Sequence, residues 1–142
     1  MIDTNTLLEF VKHNILLVGV ALASGTMLIW PLLRRSTGGP WVSATQATQL
    51  INREEAVVLD VREQAEYSQG HILGARSVPL GDLDRQSGVL EKLKSKPVIL
   101  CCASGNRSAS ALRTLKGRGF ERVFNLAGGY AGWQQAGLPV ER

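Results

Sequence analysis

Apolar positions in this chain fall into two regimes. From Ile15 to Leu33 they run almost without interruption and include no charged residue. Beyond residue 40 they break into short clusters separated by polar stretches. Val57-Val58-Leu59-Asp60-Val61 is a continuous β-branched run, the pattern of a strand buried on both faces. Pro97 to Cys101 reads as a second strand, centred on Val98-Ile99-Leu100, and Arg122 to Leu126 as a third, with a shorter one at Arg76-Ser77-Val78 before Pro79. Between them lie helical patterns. Ser43-Ala44-Thr45-Gln46 has capping-box spacing and predicts a helix to about Asn52, with Leu50 and Ile51 toward the core. Glu63 to Gln69 predicts a short polar helix stopped by Gly70, and His71 to Ala75 a turn. Leu80 to Leu83 and Val89 to Lys94 predict helical turns around Ser87-Gly88. Arg107-Ser108 opens a helix to about Lys116, ended by Gly117 and Gly119, and Tyr130 to Gln135 forms a last one after the Gly128-Gly129 turn. Strands alternating with helices imply an α/β fold with a mainly parallel sheet.

The unbroken apolar run changes the organisation. Nineteen residues at helical rise span roughly 28 Å, close to the hydrocarbon thickness of a bilayer. Lys12 and His13 flank one end, Arg34 and Arg35 the other, and Trp30 stands near the second boundary. The expected organisation is a tail over 1–13, a transmembrane helix over 14–35, a linker over 36–40 (Ser36-Thr37-Gly38-Gly39-Pro40) and a soluble domain over 41–142. A cleaved signal peptide competes, because Ala21-Leu22-Ala23 resembles a cleavage site, but Asp3 and Glu9 precede it and apolar sequence continues well beyond it. A buried core helix is the third alternative. The basic excess at Arg34, Arg35 and Arg53 puts the larger part on the cytoplasmic side.

Composition then narrows the chemistry. Of the 142 residues, 44% are hydrophobic and 20% charged, which suits a packed core. The net charge of +4 fits a small anionic ligand or an anionic membrane surface, and no nucleic-acid-binding motif is present. The two cysteines are adjacent, which excludes a disulfide framework and a cysteine-rich zinc site. They end the 97–101 strand, and the small polar turn Ala103-Ser104-Gly105-Asn106 leads into a helix. In an open α/β sheet, sites lie at the carboxyl ends of strands. A helix N-terminus there attracts anions and lowers a thiol's pKa. A cysteine nucleophile acting on an anionic group is the expectation.

Four stretches in order give the domain a family likeness: Val58-Leu59-Asp60-Val61-Arg62, Glu66-Tyr67-Ser68-Gln69-Gly70-His71-Ile72-Leu73-Gly74-Ala75, Cys102-Ala103-Ser104-Gly105-Asn106-Arg107-Ser108, and Val123 to Trp133. From about Trp41 to Glu141 the chain resembles a single-domain rhodanese, and the anchored arrangement is similar to that of bacterial inner-membrane rhodanese-like proteins. The resemblance implies a five-stranded, mainly parallel sheet flanked by helices, with no metal and no organic cofactor. It also implies sulfur transfer through a Cys102 persulfide, from thiosulfate or another persulfide donor to a thiol, cyanide or protein acceptor. The loop residues Ala103, Ser104, Gly105, Asn106, Arg107 and Ser108 would hold the outer sulfur through backbone N–H groups. Ser108 would cap the helix or donate to the persulfide. Arg107 would meet an anionic donor or brace the loop. Many relatives carry Arg or Lys directly after the cysteine; Ala103 in that place turns the expectation from thiosulfate toward a protein or low-molecular-weight persulfide.

Blander roles stand beside these. Cys101 ends the strand as an inert buried thiol, or resolves the Cys102 persulfide. Asp60, Arg62 and Glu66 form a structural ion-pair network rather than an acid/base set. His71 is a hydrogen-bonded turn residue, Tyr130 and Trp133 are core or cleft wall, and Lys92, Lys94 and Lys96 are a solvated face. Two rival functions remain. Cys101 and Arg107 have the C-x5-R spacing of a cysteine phosphatase, although Leu100 stands where those enzymes usually carry His. A rhodanese-like fold can also act as a non-catalytic module tethering a partner at the membrane.

Overall fold

The computed structural model describes residues 3–36 and 40–142, with side chains over 3–30 and 40–142; residues 37–39 of the expected linker lie outside the described residues. The chain divides into two compact units, 1–37 and 38–142.

In the first unit, helix α1 (Thr4–His13) and helix α2 (Ile15–Ser36) meet at Asn14. From Thr4 onward the expected tail is therefore helical, its residues 1 and 2 lying outside the described residues. Its apolar residues Leu7, Leu8, Phe10 and Val11 are exposed. At helical spacing they share one face, opposite Asn5, Glu9, Lys12 and His13. Among the described residues no single helix is long and apolar enough to cross a membrane; Thr4–His13 and Ile15–Trp30, bent by 90°, meet that criterion together.

In the second unit five strands form one wholly parallel sheet: β1 (Trp41–Val42), β2 (Val57–Asp60), β4 (Arg76–Ser77), β5 (Val98–Cys101) and β6 (Val123–Leu126), in the order β1-β6-β5-β2-β4. Helices α3 (Ala44–Glu54), α4 (Gln64–Gln69), α5 (Ser87–Glu91), α6 (Asn106–Gly117) and α7 (Gly129–Gln135) connect them, with a 3-10 turn at Leu80–Asp82. The predicted capping box is present: Ser43 Oγ accepts from Gln46 N–H at 3.2 Å, and Gln46 Oε1 from Ser43 N–H at 2.9 Å. The expected turn at His71 is instead strand β3 (His71–Ile72), paired antiparallel with β7 (Val140–Glu141). Two-residue strands carry no periodic signal of their own; their pairing is set by contact with the far end of the chain.

The continuous apolar strands bury both faces, as parallel strands between helices must. Successive residues point to opposite sides. Val98, Leu100 and Cys102 join Leu83, Leu90, Leu112 and Leu115 in one cluster, whereas Ile99 and Cys101 join Ala47, Leu126 and Trp133 in the other. The two adjacent cysteines thus lie on opposite sides of the sheet.

Candidate active site

The site begins at the carboxyl end of β5, where Cys102 leaves the sheet and the chain turns into α6. Gly105 is the residue before that helix and has φ +103°, a conformation that favours glycine. A Cβ there would also come within 2.9 Å of the Trp41 ring. Helix α6 starts at Asn106, one residue before the expected opening, and Ser108 does not cap it. Its hydroxyl turns inward instead, toward the cysteine.

Cys102 is 1% exposed. Its sulfur accepts from Gly105 N–H at 3.1 Å and lies 3.3 Å from Ser108 Oγ. Three carbonyls of the loop are tied off elsewhere. Tyr130 N–H donates to Cys102 O at 2.7 Å, Ala131 N–H to Ala103 O at 3.2 Å, and Asn125 Nδ2 to Gly105 O at 2.9 Å. In a trans peptide the N–H points opposite to the C=O. The Ser104 amide, across from the Ala103 carbonyl, accordingly faces the sulfur. Helix α7 can come this close because Gly129 has no side chain; a Cβ there would lie 2.3 Å from the Cys102 carbonyl oxygen.

Burial alone pushes the Cys102 thiol up. Donation to the thiolate by the Ser108 hydroxyl and by the N–H groups of Ser108, Ser104 and Gly105 outweighs it, and the net direction is down from an ordinary cysteine. Cys101 moves the other way. Desolvation and the Asp60 carboxylate push it well up, so it stays a protonated thiol, donating to Cys102 O at 3.5 Å. Cys101 is fully buried on the opposite face, the placement expected of the inert strand end among the two readings.

Arg107 braces the loop. Its guanidinium holds both oxygens of Glu66, at 2.7 and 2.8 Å, a bidentate pair with each side chain 37% exposed. The Arg107 hydrogen bond draws the Glu66 carboxyl down to about 2, against the opposing effect of burial, so the clasp stays charged through the physiological range. Asn106 and Ser104 are exposed and Ala103 half-buried, forming the outer rim.

The remaining expected site residues build the support. Arg62 Nε donates to Asp60 Oδ1 at 2.9 Å and Nη2 to Oδ2 at 2.6 Å; Nη2 also reaches Gly70 O at 2.8 Å. The Arg62 guanidinium lies 4.3 Å from the Tyr130 ring centroid, a cation–π contact. His71 stacks on Tyr67 at 3.7 Å, and its Nδ1 must donate to the Tyr67 carbonyl 3.0 Å away, because a carbonyl only accepts. Its Nε2 is 3.4 Å from Glu141 on β7. These contacts tie α4 and β3 to the chain's end; His71 has its hydrogen-bonded role, in a strand rather than a turn. Sequence reasoning missed Asn125. It is fully buried on β6, and its amide touches both Gly105 O and Ser108 Oγ. A polar residue amid Val-Phe-Leu was the signal that could have found it.

Residues 43–136 match the family model described as rhodanese-like domain. The uncharacterized protein YibN of Escherichia coli is 38% identical over 102 residues, which cover 71% of this chain and 71% of that protein. Thiosulfate sulfurtransferase GlpE of Pseudoalteromonas translucida is 32% identical over 95 residues, 67% of this chain and 89% of that protein. Among solved structures, the rhodanese-related protein of Thermoplasma volcanium superposes with a TM-score of 0.65 at 31% identity, covering 72% of this chain and 97% of that one.

Proposed function

Since the chain belongs to the rhodanese-like domain family, we propose that it is a sulfurtransferase whose nucleophile is Cys102. The observation that carries this is the Cys102 sulfur itself, held by Gly105 N–H at 3.1 Å and next to Ser108 Oγ at 3.3 Å. The thiolate attacks the outer sulfur of a donor persulfide or thiosulfate. A sulfur–sulfur bond forms to Cys102 while the donor's own sulfur–sulfur bond breaks, and the leaving thiolate or sulfite takes the electron pair. An acceptor thiolate or cyanide then attacks the outer sulfur, and Cys102 departs as the thiolate it began as. Amides aimed at the sulfur stabilise charge in both halves. The near-complete burial of Cys102 favours a single reacting sulfur over a tetrahedral phosphate.

The donor is better matched by a protein-borne or small organic persulfide than by thiosulfate. Ala103 offers no charge, and Arg107 is already engaged by Glu66. Incubating the chain with glutathione persulfide or with thiosulfate, then measuring its intact mass, tests both points. A gain of one sulfur atom mapped to Cys102, reached at lower concentration with the organic persulfide, is the expected result. No added sulfur with either donor overturns the enzyme and leaves a non-catalytic tethering module; turnover of a phosphoester would make it a phosphatase.

The uncharged run from Ile15 to Leu33 in the sequence, rather than any single described helix, supports a second element of the proposal, a single membrane span with the domain on the cytoplasmic side of a bacterial inner membrane, as the Arg34 and Arg35 flank favours. Carbonate washing of membranes from cells expressing the full chain would leave it in the pellet. Its release into the supernatant would overturn the anchor.

A further inference from the structure

Ser108 stands between two acceptors with one hydrogen to give. Its Oγ is 2.6 Å from Asn125 Oδ1 and 3.3 Å from Cys102 Sγ. The Asn125 amide has a defined orientation: the end facing the Gly105 carbonyl must be the NH2, since a carbonyl only accepts, so the end facing Ser108 is the oxygen. That oxygen cannot donate. The short contact therefore takes the Ser108 hydrogen, which leaves Ser108 facing the sulfur with lone pairs. Lone pairs suit a thiol, which has its own S–H to give. A thiolate needs the hydrogen instead. Ser108 and Asn125 are fully buried, so no bulk water brings a second hydrogen to their contact.

We propose that Asn125 is a positioning residue for Cys102, holding the Ser108 hydrogen while the cysteine is a thiol and yielding it once the sulfur is charged. Asn125 and the thiolate compete for one hydrogen, and the balance between them sets how readily Cys102 ionises. No proton passes between these residues: the thiol proton leaves to solvent, and the Ser108 hydroxyl rotates about its C–O bond. Asn125 Nδ2 acts by a separate route, anchoring Gly105 so that its N–H stays on the sulfur. The other charged or titratable groups near Cys102 are Arg107 on α6, clasped by Glu66 of α4, and, on the opposite face of the sheet, its chain neighbour Cys101 on β5, which lies beside Asp60 and Arg62.

The inference rests on Cys102 being the nucleophile. Its test uses no sulfur donor, so it can fail while sulfur transfer stands, and the converse. The full chain is alkylated with iodoacetamide across a pH series, and modification of Cys102 is followed by mass. Asn125→Leu frees the hydrogen for the sulfur and moves the midpoint down. Asn125→Asp presents a stronger acceptor and an added charge and moves it up, the two variants ending about one pH unit apart or more. Both substitutions lose the Nδ2 bond to Gly105, so a merely structural role would shift both the same way. In a Ser108→Ala background the gap between the two variants shrinks to half or less. Shifts of the same sign, or a gap that persists undiminished without Ser108, would overturn the proposal. Should Asn125→Leu fail to fold, Asn125→Asp with and without the Ser108 hydroxyl decides it alone.

Discussion

Cys102→Ser is expected to abolish sulfur transfer, by about 10⁴-fold or more, the scale of losing a covalent nucleophile, while Cys101→Ser keeps turnover close to that of the parent. A serine hydroxyl at 102 would still accept from Gly105 N–H, so the loop has no reason to collapse. What disappears is the thiolate that bonds to sulfur. At 101 the change is energetic instead. The side chain is fully buried in the cluster of Ile99, Leu126 and Trp133. A hydroxyl there costs about 1–3 kcal/mol unless it keeps a bond to the Cys102 carbonyl. Turnover of a low-molecular-weight persulfide and urea unfolding, measured on both variants, separate the two effects. Equal loss of turnover in both would make Cys101 part of the chemistry and contradict the opposite-face geometry.

That geometry shows what the sequence could and could not reveal. The alternation Val98, Leu100, Cys102 against Ile99, Cys101 already assigns the cysteines to different faces, because strand side chains have a period of two. The centre of the parallel sheet was legible for the same local reason: β2, β5 and β6 are short, continuous and largely apolar, whereas the two-residue edge strand β1 was not. The capping box at Ser43 and Gln46 was legible because both partners lie within one turn. Contacts between distant segments were not. Glu66 and Arg107 are 41 residues apart, and no local pattern tells whether an arginine in an anion-binding loop is free or clasped. The clasp supports bracing over a ready-made cation for thiosulfate. Asn125 stood inside a recognised motif, but its neighbours in the chain do not reveal that its amide would meet the loop from the next strand. Strands β3 and β7 were missed because two residues carry no period, and α1 because a short amphipathic segment before an apolar run reads as a tail.

Arg62→Leu is the substitution expected to cost the fold most. Arg62 and Asp60 are both buried, and the arginine satisfies the carboxylate, the Gly70 carbonyl and the face of Tyr130 together. Removing it leaves the Asp60 carboxyl enclosed without its cation, with the backbone N–H of residue 62 as a remaining partner at 3.0 Å. Breaking a buried pair from one side costs about 3–5 kcal/mol, a large share of the 5–15 kcal/mol or so that holds a domain of this size together. The urea midpoint should fall accordingly with the slope unchanged. Removing the carboxylate as well, in Asp60→Ala/Arg62→Leu, should recover part of the loss, since the carboxyl left without its cation is the main cost. A double variant no more stable than the single one would mean that the orphaned Gly70 carbonyl and the lost Tyr130 contact dominate instead. The consequence reaches the active site through the sheet. Asp60 is in register with Cys101 on β5, and Val61 N–H donates to the Cys101 carbonyl at 2.8 Å, one residue before the nucleophile. If the pair holds this end of β2 against β5, Arg62→Leu also loosens the base of the loop, and Cys102 in the surviving folded fraction should alkylate with a midpoint nearer that of a free thiol.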